Sequence, residues 1–183
     1  MSADGSELQS LADKLDVQGS MGWSPDGSWI VIGGNDGSGA GLFKIPVAGG
    51  SPVRIVMGPA ANPVWSPRGD LIVYSGQIVG QWSPMLAVTP DGAPVTLPEI
   101  RVLIQGERFR FMPDGARLVY MVGPYEAQDF WLLDLKTLKS RPLTRLENRA
   151  AMRTFDVTPD GKQIVFDRLR TNSDIVLIDL PRE

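Results

Sequence analysis

A ten-residue stretch, Trp23-Ser24-Pro25-Asp26-Gly27-Ser28-Trp29-Ile30-Val31-Ile32, returns three more times along this chain of 183 residues. The later copies are Trp65-Ser66-Pro67-Arg68-Gly69 with Asp70 to Tyr74, Phe111-Met112-Pro113-Asp114-Gly115 with Ala116 to Tyr120, and Val157-Thr158-Pro159-Asp160-Gly161 with Lys162 to Phe166. In each, a large apolar residue stands two places before proline, glycine two places after it, and an apolar pair begins five places after it. Proline presets one backbone angle, the next residue sits in the turn, and glycine takes the positive φ of a tight reversal, so each copy reads as a hairpin between two strands.

The prolines stand 42, 46 and 46 residues apart. A fixed period in the forties, with a hairpin in every unit, is the mark of propeller blades. The expected fold is therefore all-β: a β-propeller unit over 1–183, built of four four-stranded antiparallel blades at about 19–57, 63–97, 108–144 and 152–180.

The first unit is expected to have strands near 19–24, 29–33, 41–46 and 52–57; the second near 63–66, 71–75, 85–89 and 94–97. The third has them near 108–112, 117–122, 129–135 and 140–143, and the fourth near 152–157, 163–168 and 174–180. Residues 99–105, rich in Ile, Val and Leu, offer an extension to an outer strand, and Trp82 in the 78–84 connection suits a blade edge. Residues 33–41, Gly-Gly-Asn-Asp-Gly-Ser-Gly-Ala-Gly, superficially suggest a phosphate loop. Such a loop must open a helix. A strand, Leu42-Phe43-Lys44-Ile45, follows instead, so a hairpin is expected.

The fourth unit has three strands, while the amino terminus offers one after an Asp4-Gly5 turn. Residues 6–11 are expected beside 174–180 as the outer strand of the last blade, within one chain or between two, because rings remove exposed sheet edges. An amphipathic helix over 7–15, with Leu8, Leu11 and Leu15 on one side, is the alternative.

Composition removes several chemistries. The chain has no cysteine and no histidine, which excludes disulfides, thiolate nucleophiles, Ser-His-Asp triads and histidine metal sites. No Gly-x-Ser-x-Gly signature is present. A net charge of −3 gives no electrostatic reason to bind nucleic acid. No apolar run reaches the roughly 18 residues of a membrane span, and the first residues, Met1-Ser2-Ala3-Asp4-Gly5, do not read as a secretory signal. No cofactor, no metal and no enzymatic activity are expected.

The candidate binding surface is the wall formed by the innermost strands. Its polar members are Arg108, Arg110, Arg153 and Asp156, with Asn62 near the second blade. Arg108 and Arg110 share a face by the strand period of two, a small basic patch suited to an acidic peptide or carboxylate, although a solvated wall is the plainer reading. Asp26, Asp114 and Asp160 recur at one position, but Arg68 takes that place in the second copy, so turn chemistry is expected there rather than a metal ring. Asp134 and Asp179 likewise end third strands. Trp23, Trp65 and Phe111 are expected to fill the space between blades.

The repeats Trp23-Ser24-Pro25-Asp26-Gly27 and Trp65-Ser66-Pro67-Arg68-Gly69, with their two followers, resemble those of TolB-type β-propellers, relatives of the WD-repeat propellers. The run from Phe166 to Leu180 looks most like propellers at the carboxyl end of bacterial serine/threonine kinases. The resemblance implies a non-enzymatic scaffold for an unknown protein, peptide or ligand, an extracytoplasmic setting, and a part of a larger sensor. A substrate-gating propeller of a prolyl-oligopeptidase-like hydrolase, or an architectural fragment, are the alternatives. Such propellers usually have six or more blades, so four units also favour a homodimer completing an eight-bladed ring.

Overall fold

The computed structural model describes residues 10–104, 106–147 and 150–169, and among these every regular element is a β-strand in antiparallel pairing. Sheet 1 runs β1 (Asp16–Trp23), β2 (Trp29–Asn35), β3 (Ala40–Pro46), β4 (Val53–Met57), each beside the next. Sheet 2 runs β5 (Ala61–Trp65), β6 (Ile72–Ser75), β7 (Trp82–Val88), β8 (Pro94–Val95), with β9 (Arg101–Leu103) also on β7. Sheet 3 is β10 (Phe109–Phe111), β11 (Arg117–Val122), β12 (Asp129–Asp134), β13 (Lys139–Pro142). Sheet 4 contributes β14 (Phe155–Val157) and β15 (Ile164–Phe166).

Four hairpins with one geometry join the first two strands of each sheet. Ser24, Ser66, Met112 and Thr158 each receive the amide of the turn glycine on their carbonyl, at 2.7 to 2.9 Å. Gly27, Gly69, Gly115 and Gly161 all have φ between +62° and +77°, the left-handed region that glycine enters without a Cβ penalty. In the first and fourth the hydroxyl before proline braces the turn. Ser24 Oγ accepts the Trp29 amide at 2.9 Å and donates to Asp26 at 2.6 Å, and Thr158 Oγ1 does the same for Gln163 and Asp160 at 3.0 and 2.6 Å.

The sheets differ from the expected strands in specific places. β7 begins at Trp82 rather than Met85, because 82–84 pair with β9, the extension anticipated at 99–105. β8 and β9 lie along the same edge of β7; Pro98 between them lacks an amide donor, and the ladder resumes where the Met85 amide donates to the Ile100 carbonyl at 2.9 Å. Residues 10–15 are neither helix nor strand: the Leu15 amide closes a turn on the Ala12 carbonyl at 3.1 Å. This corrects the helical reading of 7–15 over its described part. The expected pairing of 6–11 with 174–180 lies outside the described residues, apart from Ser10 and Leu11, which are in no strand.

The core consists of apolar layers between successive sheets. Val31 and Leu42 of sheet 1 meet Ile72, Tyr74 and Val88 of sheet 2; Val73, Met85 and Val102 of sheet 2 meet Phe111, Leu118 and Leu133 of sheet 3; Val119 and Phe130 of sheet 3 meet Phe155 of sheet 4. Burial of each such side chain is worth about 1.5–3 kcal/mol. In sheets 2, 3 and 4 one cross-strand row points back at the preceding sheet: Trp65–Ile72–Val88, Phe111–Leu118–Leu133 and Val157–Ile164. Trp65 and Phe111 thus fill inter-sheet space as expected. Trp23 does not. It occupies the same place in the row Trp23–Ile30–Ile45, yet is 53% exposed, because among the described residues no sheet precedes sheet 1. Leu11, Ala12 and Leu15 cover part of that face, over Ile32 and Phe43, and leave Met21 and Trp23 uncovered.

Candidate functional site

The first strands of the four sheets lie side by side, β1 against β5, β5 against β10 and β10 against β14, and form one wall. At the end of the wall away from the Pro-Asp-Gly turns, a polar belt crosses the sheets. The Ser20 amide donates to Asn62 Oδ1 at 3.0 Å, and Asn62 Nδ2 donates to the Gly106 carbonyl at 3.4 Å. The Glu107 amide donates to the Arg153 carbonyl at 2.9 Å, and Thr154 Oγ1 donates to Glu107 Oε2 at 2.9 Å. Within sheet 4, the amides of Arg153 and Thr154 converge on Asp167 Oδ1 at 2.8 and 3.0 Å.

Backbone irregularities make the belt. The β1–β2 register shifts between Gln18 and Met21, and the β5–β6 register between Ala61 and Val64. Gly19 and Asn62 take φ of +79° and +49° inside those bulges, which re-aim the strand so that neighbouring first strands touch. Gly106, at φ +86°, lets the chain pass so close that a Cβ there would lie 1.9 Å from the Arg153 carbonyl oxygen.

The predicted wall residues are placed unequally. Arg108 and Arg110 do share a face, the one turned toward sheet 4, but sheet 4 closes over it and no open basic patch results. Arg108 is 1% exposed; its Nη1 donates to the Met152 carbonyl at 2.7 Å beside the Gln128 amide, while Nε and Nη2 have no partner among the described residues. Burial pulls its pKa down to about 10, which leaves it charged at neutral pH. Arg110 is half-buried, paired with Glu107 and 3.8 Å from Asp156. Arg153 is exposed, and the nearby Tyr125 side chain holds its pKa above the ordinary arginine value. Asn62 is the belt's central link.

The connections between second and third strands gather at this same end. The 33–41 glycines are a hairpin, as expected: Gly33 to Asn35 finish β2, Ala40 and Gly41 open β3, and Asn35 and Asp36 side chains accept the amides of Gly37 and Ser38 at 2.9 and 3.0 Å. Between sheets 2 and 3 lies a groove of about 420 Å³ lined by Gln81, Leu103, Ile104 and Tyr125. Ile104 also borders a smaller hollow of about 100 Å³ with Gln18, Asn62 and Ile78. Ile104, in the 99–105 run expected to extend an outer strand, stands just past the end of β9 and is 36% exposed.

Asp26, Asp114 and Asp160 serve their own turns. The Ser24 hydroxyl, then Ser28, hold Asp26 at a pKa of about 2; the Thr158 hydroxyl and Lys162 amide lower Asp160. At Asp114 burial pushes up, but the Ala116 amide and Arg117 outweigh it and the net shift is down. Asp134 is lowered first by the Thr137 amide. Asp179 lies outside the described residues. Among the described residues no three carboxylates come together as a metal site, and no helix is long and apolar enough to cross a membrane.

Known structures share this arrangement of sheets. A putative TolB from Agrobacterium tumefaciens superposes with a TM-score of 0.60 at 20% identity, over 80% of this chain and 52% of that one. The fold is that of a β-propeller. An oligogalacturonate lyase in complex with manganese matches with a TM-score of 0.67 at 16% identity, over 88% of this chain and 50% of the lyase. A puromycin hydrolase matches at 0.61 and 18%, over 81% of this chain and 24% of the hydrolase. At these identities the likeness concerns the propeller fold alone, which hosts unrelated functions. The chain spans about half the length of the first two. No protein-family model and no curated protein matches it.

Proposed function

We propose that this chain is a four-bladed half of a β-propeller ring, completed as eight blades by a second copy, and that the ring is a non-enzymatic scaffold for a protein partner. The observation that carries the half-ring is the contrast between Trp23 and its equivalents. Trp65 and Phe111 pack on the preceding sheet, while Trp23 stands 53% exposed beside Met21 at 55%. An uncovered tryptophan on an otherwise apolar sheet face is where another sheet packs.

The scaffold role is supported by the lack of histidine and cysteine and by the convergence of long connections at one end of the wall, where propellers present variable residues. The kinase-like run from Phe166 to Leu180 suggests a sensor as the larger setting. A second reading, the substrate-gating propeller of a hydrolase, is favoured by the likeness to the puromycin hydrolase. Chemical crosslinking in native cells, with the captured proteins identified by mass spectrometry, tests both. A saturable partner displaced by excess free chain supports the scaffold; crosslinks confined to an adjoining hydrolase domain overturn it in favour of gating.

A further inference from the structure

Each sheet turns one cross-strand row toward the sheet that follows it, and valine sits on the second strand of every such row. The rows are Gly22–Val31–Lys44, Val64–Val73–Ala87, Arg110–Val119–Leu132 and, in sheet 4, Asp156–Val165. Val31, Val73 and Val119 are fully buried under the next sheet: Val31 packs with Ile72 and Val88, Val73 with Phe111 and Leu118, Val119 with Phe155. Val165 is 64% exposed.

Sheet 1 is uncovered on the opposite face. Phe109 and Phe155, two places before Phe111 and Val157, are buried against the sheet before them, whereas Met21, two places before Trp23, is 55% exposed. The turns repeat the contrast. A Cβ on Gly69 would meet Pro25, one on Gly115 Arg68 and one on Gly161 Pro113, always in the turn of the preceding sheet; one on Gly27 meets nothing within 4 Å.

We propose that sheet 4 of one copy docks on sheet 1 of another, with Val165 on the Trp23–Ile30–Ile45 row and the Pro159 turn beside Gly27, in the register of the three joints inside the chain. This rests on the second-copy reading and adds the partner's own docking surface and the direction of the contact. The occupant follows from the joints already formed. The Val31 row lies on Trp65 and the Val73 row on Phe111, and among the described residues the row left uncovered is that of Val165. The two faces differ, so the contact is head-to-tail, the kind that makes a ring when the rotation between copies closes.

The chain has no cysteine, so Met21→Cys and Val165→Cys, both changes at exposed positions, report the joint without background. Each variant is treated with a short bismaleimide, alone and mixed in equal amounts. The expected result is a band of twice the 19.9 kDa chain mass from the mixture and from neither variant alone. Adding Trp23→Lys to the Met21→Cys chain should abolish that band, and Val165→Lys without cysteine should reduce the particle to a single chain. No crosslink in the mixture, or a doubled mass retained by Val165→Lys, overturns the joint. A crosslink in Met21→Cys alone overturns it in favour of two copies meeting face to face on Trp23. A crosslink within one chain of the double cysteine variant, unchanged on dilution, overturns it in favour of a ring closed by four sheets. Light scattering on the wild-type chain separates the two levels: a doubled mass with the joint overturned leaves the second copy standing on another contact, whereas a single-chain mass removes both.

Discussion

The backbone amide of Ser20 donates to Asn62 Oδ1 at 3.0 Å, across 42 residues of sequence, and ties the first strand of sheet 1 to that of sheet 2. Asn62 passes the link onward to the Gly106 carbonyl of the next unit. Replacing Asn62 by Ala removes both bonds and leaves the Ser20 amide without its acceptor, a loss on the order of 1–3 kcal/mol. Urea denaturation should show a lower midpoint with an unchanged slope. An unchanged midpoint would mean that the belt adds nothing to sheet packing.

Gly106 and Gly27 both have positive φ but differ in surroundings. A Cβ on Gly106 would lie 1.9 Å from the Arg153 carbonyl oxygen, whereas one on Gly27 meets nothing within 4 Å. Gly27→Ala should therefore cost only the backbone term, about 1–2 kcal/mol. Gly106→Ala should add steric strain of about 1–3 kcal/mol to it. Thermal melts of the two variants measured together check the difference.

Arg108 is buried with two N–H groups unpartnered among the described residues, so its charge is a cost and its methylene stem a gain. Arg108→Met, which keeps the bulk, should change stability by less than about 1.5 kcal/mol, in either direction. Arg108→Ala, which leaves a cavity, should lose about 2–4 kcal/mol. Equal losses in both would show that the charge itself holds sheets 3 and 4 together.

Asp26, Asp134 and Asp160 have folded pKa values below the ordinary 3.8, Asp26 at about 2. A depressed carboxylate binds its proton more weakly when folded, so the stability it supplies is present above about pH 4 and fades as pH falls toward 2. The melting temperature should drop over that interval. The drop should be smaller in Asp26→Asn, whose turn no longer titrates.

Much of the fold was legible because its turns are chemically explicit. Pro25-Asp26-Gly27 and its copies set four hairpins, and the apolar rows that follow set the layers between sheets. The belt was not legible, since it depends on bulges at Gly19 and Asn62 that break the alternation from which strands are read. The environment of Arg108 was missed for a related reason: period-two reasoning assigns a face but does not say whether a neighbouring sheet covers that face. The uncovered state of Trp23 was hidden too, because its sequence context is the same as that of Trp65.

The half-ring is the claim on which the functional reading stands, and Trp23 is its exposed end. Light scattering coupled to size exclusion, at micromolar concentration, measures it directly. The account predicts a particle of twice the chain mass of 19.9 kDa, reduced to a single chain by Trp23→Lys. A wild-type mass of 19.9 kDa would contradict it.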